Sequence, residues 1–258
     1  MIAKTEILLE APDPLRFQMS SLFHGCLMEL MPESLADSLH SSQMHPYAQH
    51  LEKRGDQWYW VISTMDEQVT SALDHILDTT RKIQIKKHDL EIGIASFSRE
   101  TLEDKELRDL FYEGPVQDTY HIRFLTPTSF KSKGEYLIYP DIRCIFQSLM
   151  LRYDLVCAPG FFDEETLDAL TDNTKMTRYK LWSTSFSLEG VRIPSFLGEM
   201  NLRMRGTDTM KRLAGMLFRF SEYSGVGIKT AMGMGAVSIS GPSSAKMKAG
   251  GTNERKTD

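Results

Sequence analysis

"TYHIRFLT", residues 119–126, decides how this chain of 258 residues divides. Tyr120, Ile122 and Phe124 alternate with Thr119, His121 and Arg123, the period-two pattern of a strand with one buried face. Pro127 ends it. A strand at this point opens a second series of elements, and that series repeats the order of the first.

Upstream, "KTEILLEA" (4–11) reads as a strand whose exit is punctuated by Pro12 and Pro14. Leu15, Met19, Leu22, Phe23, Leu27 and Leu30 then recur at helical steps, and a short second helix follows Pro32. The charged "EKRGD" (52–56) is a hairpin turn leading into the aromatic, β-branched "QWYWVIST" (57–64). Val69, Leu73, Ile76 and Leu77 mark another helix, and "IQIKKHDLEIGIASF" (83–97) is a strand pair or one long strand. The order is β-α-β-β-α-β.

Downstream the same order returns. After 119–126, a small hairpin runs through "SFKSKGEYLIYP" (129–140). Pro140 stands near the first turn of a helix with Ile142, Ile145, Phe146, Leu149 and Tyr153 on one face. An irregular acidic stretch, Phe161–Asp172, precedes two strands, "KLWSTSFSLEG" (180–190) and "VRIPSFLGEMNLRMRG" (191–206). Thr207 or Asp208 caps a helix with the stripe Met210, Leu213, Ala214, Leu217 and Phe220, and "AVSIS" (236–240) is the last strand. The chain is therefore expected to be α+β, two tandem ferredoxin-like (RRM-like) units over 1–117 and 118–240. The unpatterned tail 241–258 is expected to be disordered.

Composition narrows the class. With 41% hydrophobic and 25% charged residues the chain has enough apolar material for a real core. No apolar run approaches the ~20 residues of a membrane span, and the acidic N-terminal stretch is unlike a signal peptide. Cys26, Cys144 and Cys157 are scattered, which suits reduced thiols in a cytoplasmic protein. The net charge of −5 conceals an asymmetry. Residues 1–118 hold 11 Lys/Arg against 21 Asp/Glu, whereas 174–240 hold 10 against 4. Such a contrast is a pointer to nucleic acid; a solvated basic face is the plain alternative.

"SGVGIKTAMGMG" (224–235) packs Gly225, Gly227, Gly233 and Gly235 around Lys229, its one charge. The pattern allows a helix cap with a tight return, or a loop whose N–H groups cradle phosphates.

On five pieces the sequence resembles the CRISPR-associated endoribonucleases that cut precursor crRNA within its repeats, a RAMP-type family. These are "LADSLHSS" (35–42), "FLTPTSFKSKG" (124–134), "YPDIRCIFQSLMLRYD" (139–154), "IPSFLGEMNLRMRG" (193–206) and, above all, "SGVGIKTAMGMG". The likeness spans residues 1–240 and is closest to members serving multi-subunit effector complexes, whose subunits are candidate partners besides the CRISPR repeat RNA.

The resemblance implies metal-independent cleavage without a cofactor. The ribose 2′-OH attacks the adjacent phosphorus, leaving a 2′,3′-cyclic phosphate and a 5′-OH. That reaction needs a base, an acid and positive charge at the phosphate, and histidine suits either proton role. By resemblance His40 occupies the catalytic "LH" position. His24, in "FHGCL", is a second candidate for proton transfer, or a half-buried core histidine. His45, in "QMHPY", falls where some relatives carry a lysine. The tyrosine of some relatives is absent, with Met28 at or near its place. The glycine loop, through its N–H groups and Lys229, is expected to meet RNA phosphates. Arg203 and Arg205, on one face of a strand, and Arg212 and Arg219, on one face of a helix, are candidate backbone contacts. Two other readings stay open: a non-cleaving RNA-binding subunit of a crRNA effector complex, and a small-molecule or assembly module on the same fold.

Overall fold

The computed structural model describes residues 1–11, 15–42, 44–86 and 89–241. Pro12, Pro14, His88 and the expected disordered tail beyond Gly241 lie outside them.

In the first half, β1 (Ile2–Glu10) is followed by α1 (Ser20–Leu30) and α2 (Glu33–Ser41). The hairpin β2 (Tyr47–Arg54) and β3 (Gln57–Thr64), then α3 (Glu67–Thr79), β4 (Lys82–Ile85) and β5 (Leu90–Leu102) complete it. The antiparallel sheet runs β2-β3-β1-β5-β4. The ferredoxin-like order is its first four strands, and β4 is an extra edge strand hairpinned onto β5. The 83–97 stretch is thus a strand pair. Asp66 starts α3 by accepting from the backbone N–H groups of Gln68 and Val69, a side-chain cap for otherwise orphaned donors.

An amphipathic helix absent from the sequence reading, α4 (Asp104–Tyr112), bridges to the second half. There β6 (Thr119–Thr128) is followed by the small hairpin β7 (Phe130–Ser132) and β8 (Glu135–Leu137). Next come α5 (Ile142–Val156), α6 (Glu164–Asp172), β9 (Thr174–Leu188), β10 (Val191–Met204), α7 (Asp208–Ser224) and β11 (Val237–Ser240). The antiparallel sheet runs β11-β6-β10-β9, again the ferredoxin-like order. Thr207, not Asp208, caps α7, accepting from Met210 N–H. The acidic stretch read as irregular is in part helical: Asp163 caps α6, and Leu167 and Leu170 are buried beneath it.

Each sheet has its own apolar core, and the two cores exchange residues. Ile2, Met65 and Leu102 from the first half pack in the second core. Ala231, from the glycine segment, packs in the first with Leu27 and Leu51. Helix α7 touches the first sheet through Tyr223, whose ring lies 4.4 Å from the Lys4 ammonium.

Candidate active site

The three candidate histidines come from consecutive pieces of the first half. His24 sits on the buried side of α1. The chain turns at Met31, whose extended backbone leads into Pro32 and α2. His40 lies exposed in the last turn of α2, where Ser41 and Ser42 hydroxyls donate to the Ser38 carbonyl. His45 is half-buried just before β2.

The rings of His24 and His45 are 6.0 Å apart, and both stand against Tyr47, the first residue of β2, at 6.1 and 5.5 Å. The Tyr47 hydroxyl is 2.8 Å from His24 Nδ1 and 3.9 Å from Met28 Sδ. A buried tyrosine from β2 therefore stands beside Met28 of α1. Burial pushes its pKa up, so the hydroxyl keeps its proton beside His24 Nδ1.

Burial, and then the charges of His45, His40 and Lys229, lower the His24 pKa to about 4. Burial, Lys229, His40 and Arg152 lower that of His45. Both imidazoles are neutral at pH 7. The same charges place Lys229 and Arg152, from the second half, within electrostatic reach of the histidines.

The glycine segment explains how they come to be there. Lys229 is exposed, in a left-handed backbone conformation (φ 57°) that opens a short 3-10 turn, Thr230–Met232. Every glycine N–H is donated inside the protein: Gly225 to the Ser221 carbonyl, Gly227 to Ser148 Oγ, Gly233 to the Thr230 carbonyl and Gly235 to the Pro127 carbonyl. All four glycines are buried. This corrects the expectation that their N–H groups cradle phosphates, because no such donor is left to face RNA. The glycines act by letting backbones approach. At Gly227 (φ 76°) a Cβ would collide with the Ser129 carbonyl, and at Gly233 (φ 107°) with the Ser20 side chain of α1. Arg152, itself buried, donates to the Ser224 carbonyl (2.7 Å) and to Thr230 Oγ1. Burial lowers its pKa only to about 10, so it keeps its charge.

Gln49, two residues after Tyr47, locks the two sides together. Its Nε2 donates to the carbonyls of Ser20 and Ala231, both at 2.9 Å, and its Oε1 accepts from Trp60 Nε1 at 2.9 Å. Tyr47 and Gln49 are residues of this cluster that the sequence does not point to. Their only signal there was the run following His45, which carries no motif.

The arginines are not part of this cluster. Arg203 and Arg205 are exposed at the far end of β10, where Arg203 pairs in register with Thr119. That is about 20 Å along the strand from Phe196, which pairs with Thr128 near the glycine segment. Arg212 donates to the Gly114 carbonyl, and Arg219 pairs with Glu222 and Tyr223. Among the described residues, no group of three or more His, Cys, Asp or Glu side chains is placed to hold a metal.

The family model for "CRISPR-associated endoribonuclease Cas6" matches residues 122–237. A CRISPR-associated endoribonuclease Cas6 of Streptococcus thermophilus is 34% identical over 220 residues, covering 84% of this chain and 89% of the relative. One from Mycobacterium tuberculosis is 29% identical over 245 residues, covering 92% and 78%. Among solved structures, a Thermus thermophilus Cas6 superposes with a TM-score of 0.70 at 22% identity, covering 93% of this chain and 98% of that one. A Cas6 product complex gives 0.75 at 21% identity, covering 93% and 100%. At such identity the structural likeness establishes the tandem fold.

Proposed function

The chain belongs to the CRISPR-associated endoribonuclease Cas6 family, and from that premise we propose how it cuts RNA. It is an endoribonuclease that binds CRISPR repeat RNA and processes precursor crRNA. The cut runs through attack of the ribose 2′-oxygen on the adjacent phosphorus, without a metal. The 2′-OH proton passes to a base, the P–O5′ bond breaks, and the leaving 5′-oxygen takes a proton from an acid. Products end in a 2′,3′-cyclic phosphate and a 5′-OH.

The observation carrying this reading is the convergence of His24, His40 and His45 with the cations Lys229 and Arg152 across the joint between the two sheets. A neutral imidazole accepts a proton and cannot usefully donate one, so His24 and His45 belong to the base side. His40, the exposed member in the "LH" position, is the other proposed proton-transfer group. Lys229 meets the phosphate whose charge grows in the transition state, where a fixed cation is most effective. The four glycines contribute by placing Lys229, and Arg203 and Arg205 contact the RNA backbone away from the cut. Subunits of a crRNA effector complex are the proposed partners after cleavage, and the cytoplasm the proposed compartment.

The test is incubation with repeat RNA in EDTA, followed by mapping of product ends. Cleavage should persist and leave cyclic phosphates. A 2′-deoxyribose just upstream of the cut should permit binding and stop cleavage. Cutting of that substrate at the normal rate overturns the mechanism.

A further inference from the structure

Beside the His45–Lys229 side of the site lies a cavity of about 260 Å³, between α5 and the glycine segment. Met44 and Ile228, the chain neighbours of His45 and Lys229, form part of its wall. Phe130 and Leu151 add apolar surface, Lys131 stands at its edge, and Gln147 projects from α5. Gly227 lies close against Phe130, whose ring a Cβ there would meet at 3.2 Å, after the nearer Ser129 carbonyl.

The polar groups of the wall are unequally committed. Ser148 Oγ donates to the Ile145 carbonyl at 2.9 Å and accepts from Gly227 N–H at 3.1 Å. Arg152 Nη1 is held by Ser224 and Thr230. The Gln147 carboxamide has no hydrogen-bond partner among the described residues. It therefore presents a donor and an acceptor side by side, the pattern with which glutamine pairs to a base edge. The volume is below that of a drug-sized pocket and suits one planar ring.

We propose that this cavity takes a single nucleobase of the RNA, turned out of the strand next to the scissile phosphate, and that Gln147 reads its edge. The inference rests on the histidine–Lys229 cluster being the cleavage site. Three features support this occupant: apolar walls to hold a base face, an unpaired carboxamide for its edge, and Lys131 near its phosphate. Seating that base also fixes the neighbouring ribose and phosphate beside the histidines, so the cavity sets where the cut falls.

The test uses the full chain and uncleavable repeat RNA with 2′-deoxyribose at the cut. An abasic site is placed in turn at each of the two nucleotides on either side. One position should weaken binding about 10-fold or more, the usual weight of a held base, and 2-aminopurine there should change fluorescence on binding. With Gln147→Leu, the preference among the four bases at that position should vanish. Leu151→Trp, which fills the cavity, should lose the effect of the abasic site altogether. If no abasic position matters, or Gln147→Leu keeps the wild-type base preference, the inference is wrong. Binding is read without cleavage, and wild-type cutting of all-ribose repeat with its loss in His40→Ala tests the site separately, so the two failures are distinguishable.

Discussion

Two segments face each other across the site and are built in opposite ways. The corner from α2 to β2 carries His40 exposed on a helix end. The glycine segment opposite is buried apart from Ile228, Lys229 and Met232, with its glycine N–H groups bonded inward. One side holds the proposed proton-transfer group, which the fold hardly uses; the other is a backbone knot that leaves one lysine exposed and joins two cores. The difference teaches where damage should appear: as lost rate in the corner, as lost stability in the knot.

The sharpest way to break that contrast is His40→Ala. It should slow repeat cleavage by about 10²–10⁴-fold, the usual worth of a general acid or base, with RNA affinity and thermal midpoint nearly unchanged. Single-turnover kinetics beside a melting curve measure both, and a large fall in midpoint would erase the distinction.

Gly227→Ala is its counterpart. A Cβ colliding with the Ser129 carbonyl, at φ 76°, combines left-handed strain with overpacking, together about 2–5 kcal/mol. Denaturant titration should show that loss. A variant that folds as stably as wild type would show the knot to be more pliable than its contacts imply.

Acidification sharpens the comparison further. His24 has an ordinary value of 6.5 and a folded value of about 4, so below pH 6.5 the unfolded chain binds the proton more tightly. Its contribution is complete above pH 6.5 and is lost as pH falls towards 4, by up to about 1.4 kcal/mol per pH unit. Stability against pH should be steeper for wild type than for His24→Gln in that window. Equal slopes would place the titration elsewhere.

The smallest effect is expected at Lys229. Its replacement by Ala should reduce the dependence of log affinity on log salt by about 0.7, one phosphate's share on a single strand, and should weaken related RNAs alike. An unchanged slope would remove Lys229 from the phosphate.

The order of elements was legible because it is written locally. Tyr120, Ile122 and Phe124 declare a strand at period two, and the stripe on α7 a helix at three and four. Where few apolar residues carry the period, as with Leu167 and Leu170 in α6, a helix went unread. The site was legible as far as His24, His40, His45 and Lys229, residues whose type suggests chemistry. The partners that fix them were not. Tyr47 meets His24 across 23 positions of sequence, and Gln49 reaches Ala231 across 182; no spacing rule encodes such distances. The glycines misled for the same reason. Positive φ can be guessed from the letter, but the partner of each N–H depends on Pro127, Ser148 and Ser221.

Ala231 completes the core beneath the histidines, although it lies far along the chain from them. On the ribosome, then, the segment bearing His24, His40 and His45 emerges long before the piece that locks its Gln49 and sets a cation opposite. A cleavage site assembled this way is expected only in a chain that has been made almost to its end, because residues 229–231 must fold back onto the segment bearing the histidines.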